Sequence, residues 1–315
     1  MIDRRELFRQ VTAVAAASVI ARREAFGQEQ QAGEESRFIP GFTVSKVKTS
    51  GTTIHVVKGG QGPPLLLLHG APQTHITWRL VAPELAKQYT VVATDLRGYG
   101  DSGKMPDTPD HANYSKRAMA LDQVEVMKHF GFDRFPVVGQ DRGGRVAHRM
   151  ALDHAEKVTR IAVLDIVPTY YLYTHVTKDF IQAYFHWFNN VRPAPGPENE
   201  MKAAADRRPP PTDPIQAEYR RTSGTMENIH AMCEDYRAAA SIDLTHDAAD
   251  IKRKIAAPLL ALWSAGGAMG RIYDVLAIWR ERGTRVSGKG LSGGHNLQED
   301  VPKEVLAELI AFLRA

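Results

Sequence analysis

Pro136-Val137-Val138-Gly139-Gln140-Asp141-Arg142-Gly143-Gly144-Arg145 reads as a strand that breaks into a sharp turn and then opens a helix. The valines favour an extended chain, and Gly139 and Gly143 flank a single acidic residue in the spacing Gly-x-Asp-x-Gly. That spacing is the pattern of a nucleophile elbow. Its glycines let strand and helix cross closely, while the central residue takes an exposed, strained conformation. The tip carries a carboxylate, Asp141, where a serine is the commoner occupant. Serine attacks carbonyl carbon, whereas a carboxylate can displace a leaving group from saturated carbon and hold the product as an ester.

Short β-rich runs alternate with amphipathic segments on both sides of this stretch. Thr52 to Val57, Pro64 to His69, Thr90 to Asp95 and Arg160 to Ile166 read as strands; Trp78 to Gln88, Lys116 to Phe130 and Val146 to His154 read as helices. The alternation stops between about Thr169 and Leu244, where the pattern is helical, aromatic and basic, with a break at Arg207-Arg208-Pro209-Pro210-Pro211. It resumes with a strand at Pro258 to Trp263, a helix near Tyr273 to Arg282, a Gly-rich run to His295 and a last helix over Pro302 to Leu313. The expected class is α/β: a mostly parallel sheet with helices on both faces and an inserted helical cap. The core is expected over residues 31–168 and 245–315, and the cap over 169–244.

The chain has 315 residues, 43% of them hydrophobic and 24% charged, an ordinary globular balance, and a net charge of +4. No run of Lys and Arg interleaved with aromatics marks a nucleic-acid face. The single cysteine, Cys233, allows no internal disulfide. Residues 1–30 place Arg4-Arg5 before the apolar stretch Val11 to Ala21, which resembles a twin-arginine export signal. That stretch is too short for a stable membrane anchor, so a periplasmic or exported protein is expected, with a cytoplasmic one as the alternative.

Three features join Asp141 in chain order. His69-Gly70-Ala71-Pro72 follows an apolar run, and the backbone N–H of Ala71 could pair with that of Arg142 as an oxyanion hole. Asp165 ends the strand after the elbow and could orient an imidazole. Gly293-Gly294-His295 could deliver that imidazole from a late loop. Each has a plain structural alternative: a strand-ending turn, a helix-capping Asp, a surface His. Arg142 and Arg145 lie one turn apart at the helix start, so both can grip a substrate carboxylate beside Asp141, although a solvated surface pair is the alternative.

Beyond the elbow, the chain carries His69-Gly70-Ala71-Pro72-Gln73, Asp95-Leu96-Arg97-Gly98-Tyr99-Gly100, Lys116-Arg117-Ala118-Met119-Ala120, Leu164-Asp165-Ile166-Val167-Pro168-Thr169, His186-Trp187 and Cys233-Glu234-Asp235-Tyr236-Arg237-Ala238. On these stretches the chain resembles the fluoroacetate dehalogenases of the α/β-hydrolase superfamily, and the resemblance covers nearly everything after the export segment. The resemblance implies an α/β-hydrolase fold, Asp141 as nucleophile, His295 and Asp165 as base and orienting acid, and a halide pocket of His186, Trp187 and Tyr236. It also implies a homodimer, a small haloacid and water as reactants, and no metal or organic cofactor. Ala71 stands where this family commonly carries phenylalanine, which leaves that wall open to larger substrates. The stretch between Trp187 and Tyr236 is shorter than the family's, and an export signal is unusual for it. Two rival readings remain: an epoxide hydrolase pairing Tyr236 with Tyr219 or Tyr184, and a non-catalytic protein that binds a small carboxylate.

Overall fold

A computed structural model describes residues 34–315. The expected export segment, residues 1–30, lies outside the described residues. The strands β1 (Phe42–Lys48), β2 (Thr53–Gly59), β3 (Pro64–Leu68), β4 (Thr90–Thr94), β5 (Phe135–Gln140), β6 (Val158–Leu164), β7 (Leu259–Ser264) and β8 (Val286–Leu291) form one sheet in the order β1-β2-β4-β3-β5-β6-β7-β8. β1 and β2 pair antiparallel, as do β2 and β4, and every pairing from β4 to β8 is parallel.

Both faces of the sheet are covered. In β3, Leu65 and Leu67 pack into one buried cluster with Trp78 and Leu309, while Leu66 and Leu68 join the other with Val146 and Val163. A strand with two covered faces has no polar side to show, which explains the unbroken leucine run. From β3 the chain runs to β4 on one side and then crosses back past β3 to β5 on the other. This reversal makes the carboxyl ends of β3 and β5 the natural cleft of an open parallel sheet.

Two expectations need correction. The helix expected over Trp78 to Gln88 is instead a 3₁₀ turn, His75–Trp78, and a four-residue helix, Ala82–Leu85. Pro83 stands in the first turn of the latter, where its missing N–H costs nothing, but it cannot continue a helix from Trp78. The Gly-rich run before His295 contains β8, in which Gly288 is required: a Cβ there would sit 2.1 Å from the carbonyl oxygen of Ala261. Between β6 and β7 the chain passes through seven helices, from Thr169–Thr174 to Ile242–Ala249. The prolines 209–211 separate helix Gly196–Arg207 from Pro214–Ser223. Among the described residues, no helix is long and apolar enough to cross a membrane.

Candidate active site

Asp141 sits between β5 and the helix Arg142–Asp153 with φ 44° and ψ −115°. A non-glycine residue in this region carries strain on the order of 1–3 kcal/mol and persists only where its surroundings impose it. Here they do. A Cβ on Gly139 would lie 2.4 Å from the Gly143 carbonyl oxygen, and one on Gly143 would lie 2.4 Å from that of Leu68. Strand and helix therefore cross at a separation only glycine permits, and the main chain turns sharply enough to lift Asp141 above the sheet.

The Asp141 carboxylate is nearly buried, at 8% exposure. The Ala71 N–H donates to its Oδ2 at 3.2 Å. Of the two backbone donors expected for an oxyanion hole, Ala71 and Arg142, that of Ala71 is the one bonded to the carboxylate. Burial alone would raise the acid's pKa. The charges of His295, Arg145 and Arg142, together with the Ala71 N–H, outweigh burial and hold it below the usual carboxylate value. Asp141 is thus held in its ionised form.

The register of the parallel strands aligns the other members. Gln140 pairs with Leu164 and Leu164 with Leu262, so Asp165 leaves β6 beside the elbow. Asp165 has φ 53° and accepts from the Ser264 N–H at 2.8 Å through Oδ1. Its Oδ2 lies 2.6 Å from His295 Nδ1, and His295 Nε2 lies 4.0 Å from Asp141 Oδ2. Asp141, Asp165 and His295 are therefore brought together as expected. Burial pulls the His295 pKa down, but the bond to Asp165 and the charges of Asp141 and Asp165 raise it above its ordinary value overall.

Arg142 and Arg145 are not a solvated pair. Arg142 is 0% exposed, and its guanidinium carbon lies 3.7 Å from the Tyr236 ring centre and 4.9 Å from that of Trp187. Its Nε is 3.2 Å from Asp235 Oδ2, an ion pair without hydrogen-bond alignment, and its three nitrogens have no hydrogen-bond partner among the described residues. Arg145 spends Nη1 on the Val167 carbonyl and on Thr169 Oγ1, leaving Nε free. A buried cation with unused donors, walled by aromatic faces, offers a site for a small anion.

Trp187 (3% exposed) and Tyr236 (4%) meet edge to face at 5.7 Å above Arg142. His186 is exposed at the rim, 5.8 Å from the Tyr236 ring, and burial of its imidazole face lowers its pKa, so it is neutral at pH 7. Tyr184 flanks the same histidine at 5.9 Å. Tyr219 lies elsewhere: its hydroxyl donates to Glu299 at 2.6 Å.

Sequence reasoning assigned no role to four residues that build this centre. Asp235 accepts from Tyr99 Oη at 2.5 Å and from Lys116 Nζ, which pins the helix Met226–Ala239 and so seats Tyr236. Gln140 donates through Nε2 to the His295 carbonyl at 3.3 Å, tying the histidine loop to the elbow strand. Ser264 holds Asp165 from behind. Tyr173, its hydroxyl buried without a partner and its pKa pushed up to about 12 by burial, stacks toward Trp187 at 5.5 Å. The fold also gathers His55, His75 and Asp95, and separately Asp107, His230 and Glu234, at ligand-like distances that no sequence spacing signalled. In the first group His75 Nδ1 already bonds Asp95 at 2.8 Å.

A family profile described as the alpha/beta hydrolase fold matches residues 63–208. The chain is 43% identical to a fluoroacetate dehalogenase from Burkholderia sp over 87% of its own length and 94% of the relative's. It is 30% identical to a soluble epoxide hydrolase from Corynebacterium sp. (strain C12), covering 86% and 97%. The crystal structure of a Nostoc sp PCC 7120 protein assigned to the α/β hydrolases superposes with a TM-score of 0.83 at 49% identity, covering 86% of this chain and 98% of that one. The chain belongs to the α/β-hydrolase family, within the part of it that holds fluoroacetate dehalogenase and the soluble epoxide hydrolases.

Proposed function

We propose that the protein hydrolyses small 2-haloacids, converting fluoroacetate or chloroacetate to glycolate and halide through an ester on Asp141. One observation carries the reading: beside an ionised Asp141 lies a fully buried guanidinium, Arg142, whose N–H groups make no hydrogen bond among the described residues and whose one ion-pair contact is Nε to Asp235. An acid held there by Arg142 and Arg145 presents its α-carbon to the carboxylate. An Asp141 oxygen forms the new C–O bond as the carbon–halogen bond breaks, and halide leaves with the bonding pair. Trp187, Tyr236 and neutral His186 offer donors to the departing anion, which fluoride, the poorest leaving group, needs most. His295, oriented by Asp165, then takes a proton from the water that attacks the ester carbonyl, while the Ala71 N–H stabilises the oxyanion.

The test is to follow halide and diol release from fluoroacetate, chloroacetate and styrene oxide, with Asp141→Asn as the inactive control. Halide from neither acid would sink the proposal. A single turnover in heavy-oxygen water checks the ester, since the first glycolate should take its new oxygen from Asp141 and carry no label. Diol without halide would favour the epoxide reading, in which Tyr184 and Tyr236, both flanking His186, supply the two hydroxyls; Tyr219 is committed to Glu299. A bound haloacid that neither reacts nor alkylates Asp141 would favour the silent binding protein. Two further proposals accompany this one. Residues 1–30 direct export, which cell fractionation checks, and the protein is a homodimer, which light scattering checks.

A further inference from the structure

We infer that the protein carries a second small-molecule site, separate from the one around Asp141, for a neutral phenol-like ligand: an apolar ring bearing one hydroxyl. A cavity of about 230 Å³ lies where both connections of the cap meet the core. Pro168 and Tyr170 line it from the cap's first helix, Asp247 and Ile251 from its last, Ile278 from the helix Val275–Arg282, and His148 from the elbow helix Arg142–Asp153. None of the residues assigned to the haloacid site lines it, so the inference stands apart from that reading. An apolar cavity of about 150 Å³ is enough to hold benzene, so a ring with one substituent fits here.

Two buried polar groups set the ligand's chemistry. His148 is 4% exposed, and its Nε2 has no hydrogen-bond partner among the described residues. Burial, helped by the charges of Arg282 and Arg149, pushes its pKa down to about 3, so the imidazole is neutral and carries a single N–H. Asp247 is 6% exposed; burial and the neighbouring Asp243 push its carboxyl up to about 6, against the pull of Arg149 and Arg282. Above that pH it is an acceptor, and Arg149 Nη1 stands off at 3.6 Å. A hydroxyl serves both groups at once, donating to the carboxylate and accepting from the imidazole Nε2–H. Charge on the ligand would be unwelcome: an anion would meet Asp247 and Glu281, and a cation would meet Arg282, whose donors are already spent on the carbonyls of Ile251 and Asp250. Apolar walls at Pro168, Ile251 and Ile278 cannot satisfy a bare imidazole nitrogen, which leaves that to the occupant. An occupied site ties both roots of the cap to the elbow helix.

The experiment titrates the full chain at about pH 8, where Asp247 is ionised, with 4-fluorophenol and with 4-fluorotoluene as the control lacking a hydroxyl, following the fluorine NMR signal of each. The phenol should bind with a Kd of about 0.1–1 mM and the toluene about tenfold more weakly. His148→Phe keeps a ring of similar size but removes the nitrogen, and should weaken the phenol about tenfold while leaving the toluene within about twofold. Thr174 lines the cavity from an exposed position, and Thr174→Trp should block both ligands. The wild-type Tm should rise with 4-fluorophenol, and that of Thr174→Trp should not. No binding of the phenol to the wild type overturns the inference, and so does equal affinity for phenol and toluene. Undiminished binding to Thr174→Trp overturns it as well, because the ligand then sits elsewhere. Should His148→Phe fail to fold by circular dichroism, the preference for phenol over toluene and the Thr174→Trp result decide the matter.

Discussion

Replacing Arg142 with leucine should cripple the enzyme toward an acid while sparing its neutral analogue. The guanidinium is fully buried and has no hydrogen bond among the described residues, so on the proposed function a substrate carboxylate is the partner for its donors. Its neighbour Asp235 keeps Lys116 and Tyr99 as partners, so the substitution does not leave a buried carboxylate alone. The acid loses two charge-assisted hydrogen bonds at roughly 1.5–3 kcal/mol each. Taking the lower figure for both, because Arg145 stays nearby, gives about 3 kcal/mol, or about 160-fold in kcat/KM. The assay is chloride release from chloroacetate and from chloroacetamide, close in shape but uncharged. It is run at about pH 8, so that Asp141 stays ionised even without the arginine's field. The acid should fall by the full factor and the amide by less than about threefold. An equal fall for both would make Arg142 a structural residue and remove the main support for a haloacid substrate.

His295→Gln should release one equivalent of halide per enzyme and then stop, with the intact protein gaining the mass of one carboxymethyl group; continued turnover would show that His295 is not the base for ester hydrolysis. Because the His295 pKa is raised, its basic form is lost as pH falls through a value above about 6.5. In the ester Asp141 carries no charge and Asp165 is the remaining raising partner, so Asp165→Asn should move the acid limb of the kcat profile to lower pH, and an unmoved limb contradicts the coupling to Asp165. His230 joins the loop at Asp107 to the cap; burial lowers its pKa, but Asp107 and Glu198 raise it overall. A raised folded pKa stabilises most below about 6.5 and stops doing so as pH rises through the folded value. The Tm gap between wild type and His230→Asn should accordingly be widest near about pH 6 and close by about pH 9, and a gap that widens with pH refutes the sign. Gly143→Ala places a Cβ 2.4 Å from the Leu68 carbonyl oxygen, which should lower stability in urea by roughly 1–3 kcal/mol; no change would mean the elbow crossing is slack.

The parts legible in the sequence were those whose geometry is local. Gly139, Asp141 and Gly143 announce a turn through spacing alone, Asp165 sits at a strand end that a short β-rich run locates, and His295 stands out as the histidine closing a late Gly-rich run. β8 was hidden because Gly288 and Gly290 lower strand propensity. The pairing with β7 overrides them, and only the close approach of Ala261 explains Gly288. Pro83 was a visible stop signal that the apolar periodicity from Trp78 masked. Asp235 had no local signature at all. Its role depends on Tyr99, Lys116 and Arg142 converging from separate segments, a tertiary fact that no window of sequence contains. The arginine pair was found, but not the inequality between a free Arg142 and an Arg145 partly spent on Val167 and Thr169.

The shape of the elbow depends on Gly139, Gly143 and the register of β3, β5 and β6, not on the side chain at its tip. The tip residue is therefore interchangeable in a way that core residues are not. A change of one amino acid at position 141 alters which bonds can be broken without asking the rest of the molecule to refold. The bond such an elbow can break is thus set by one side chain, while what reaches it is set separately, by the cap.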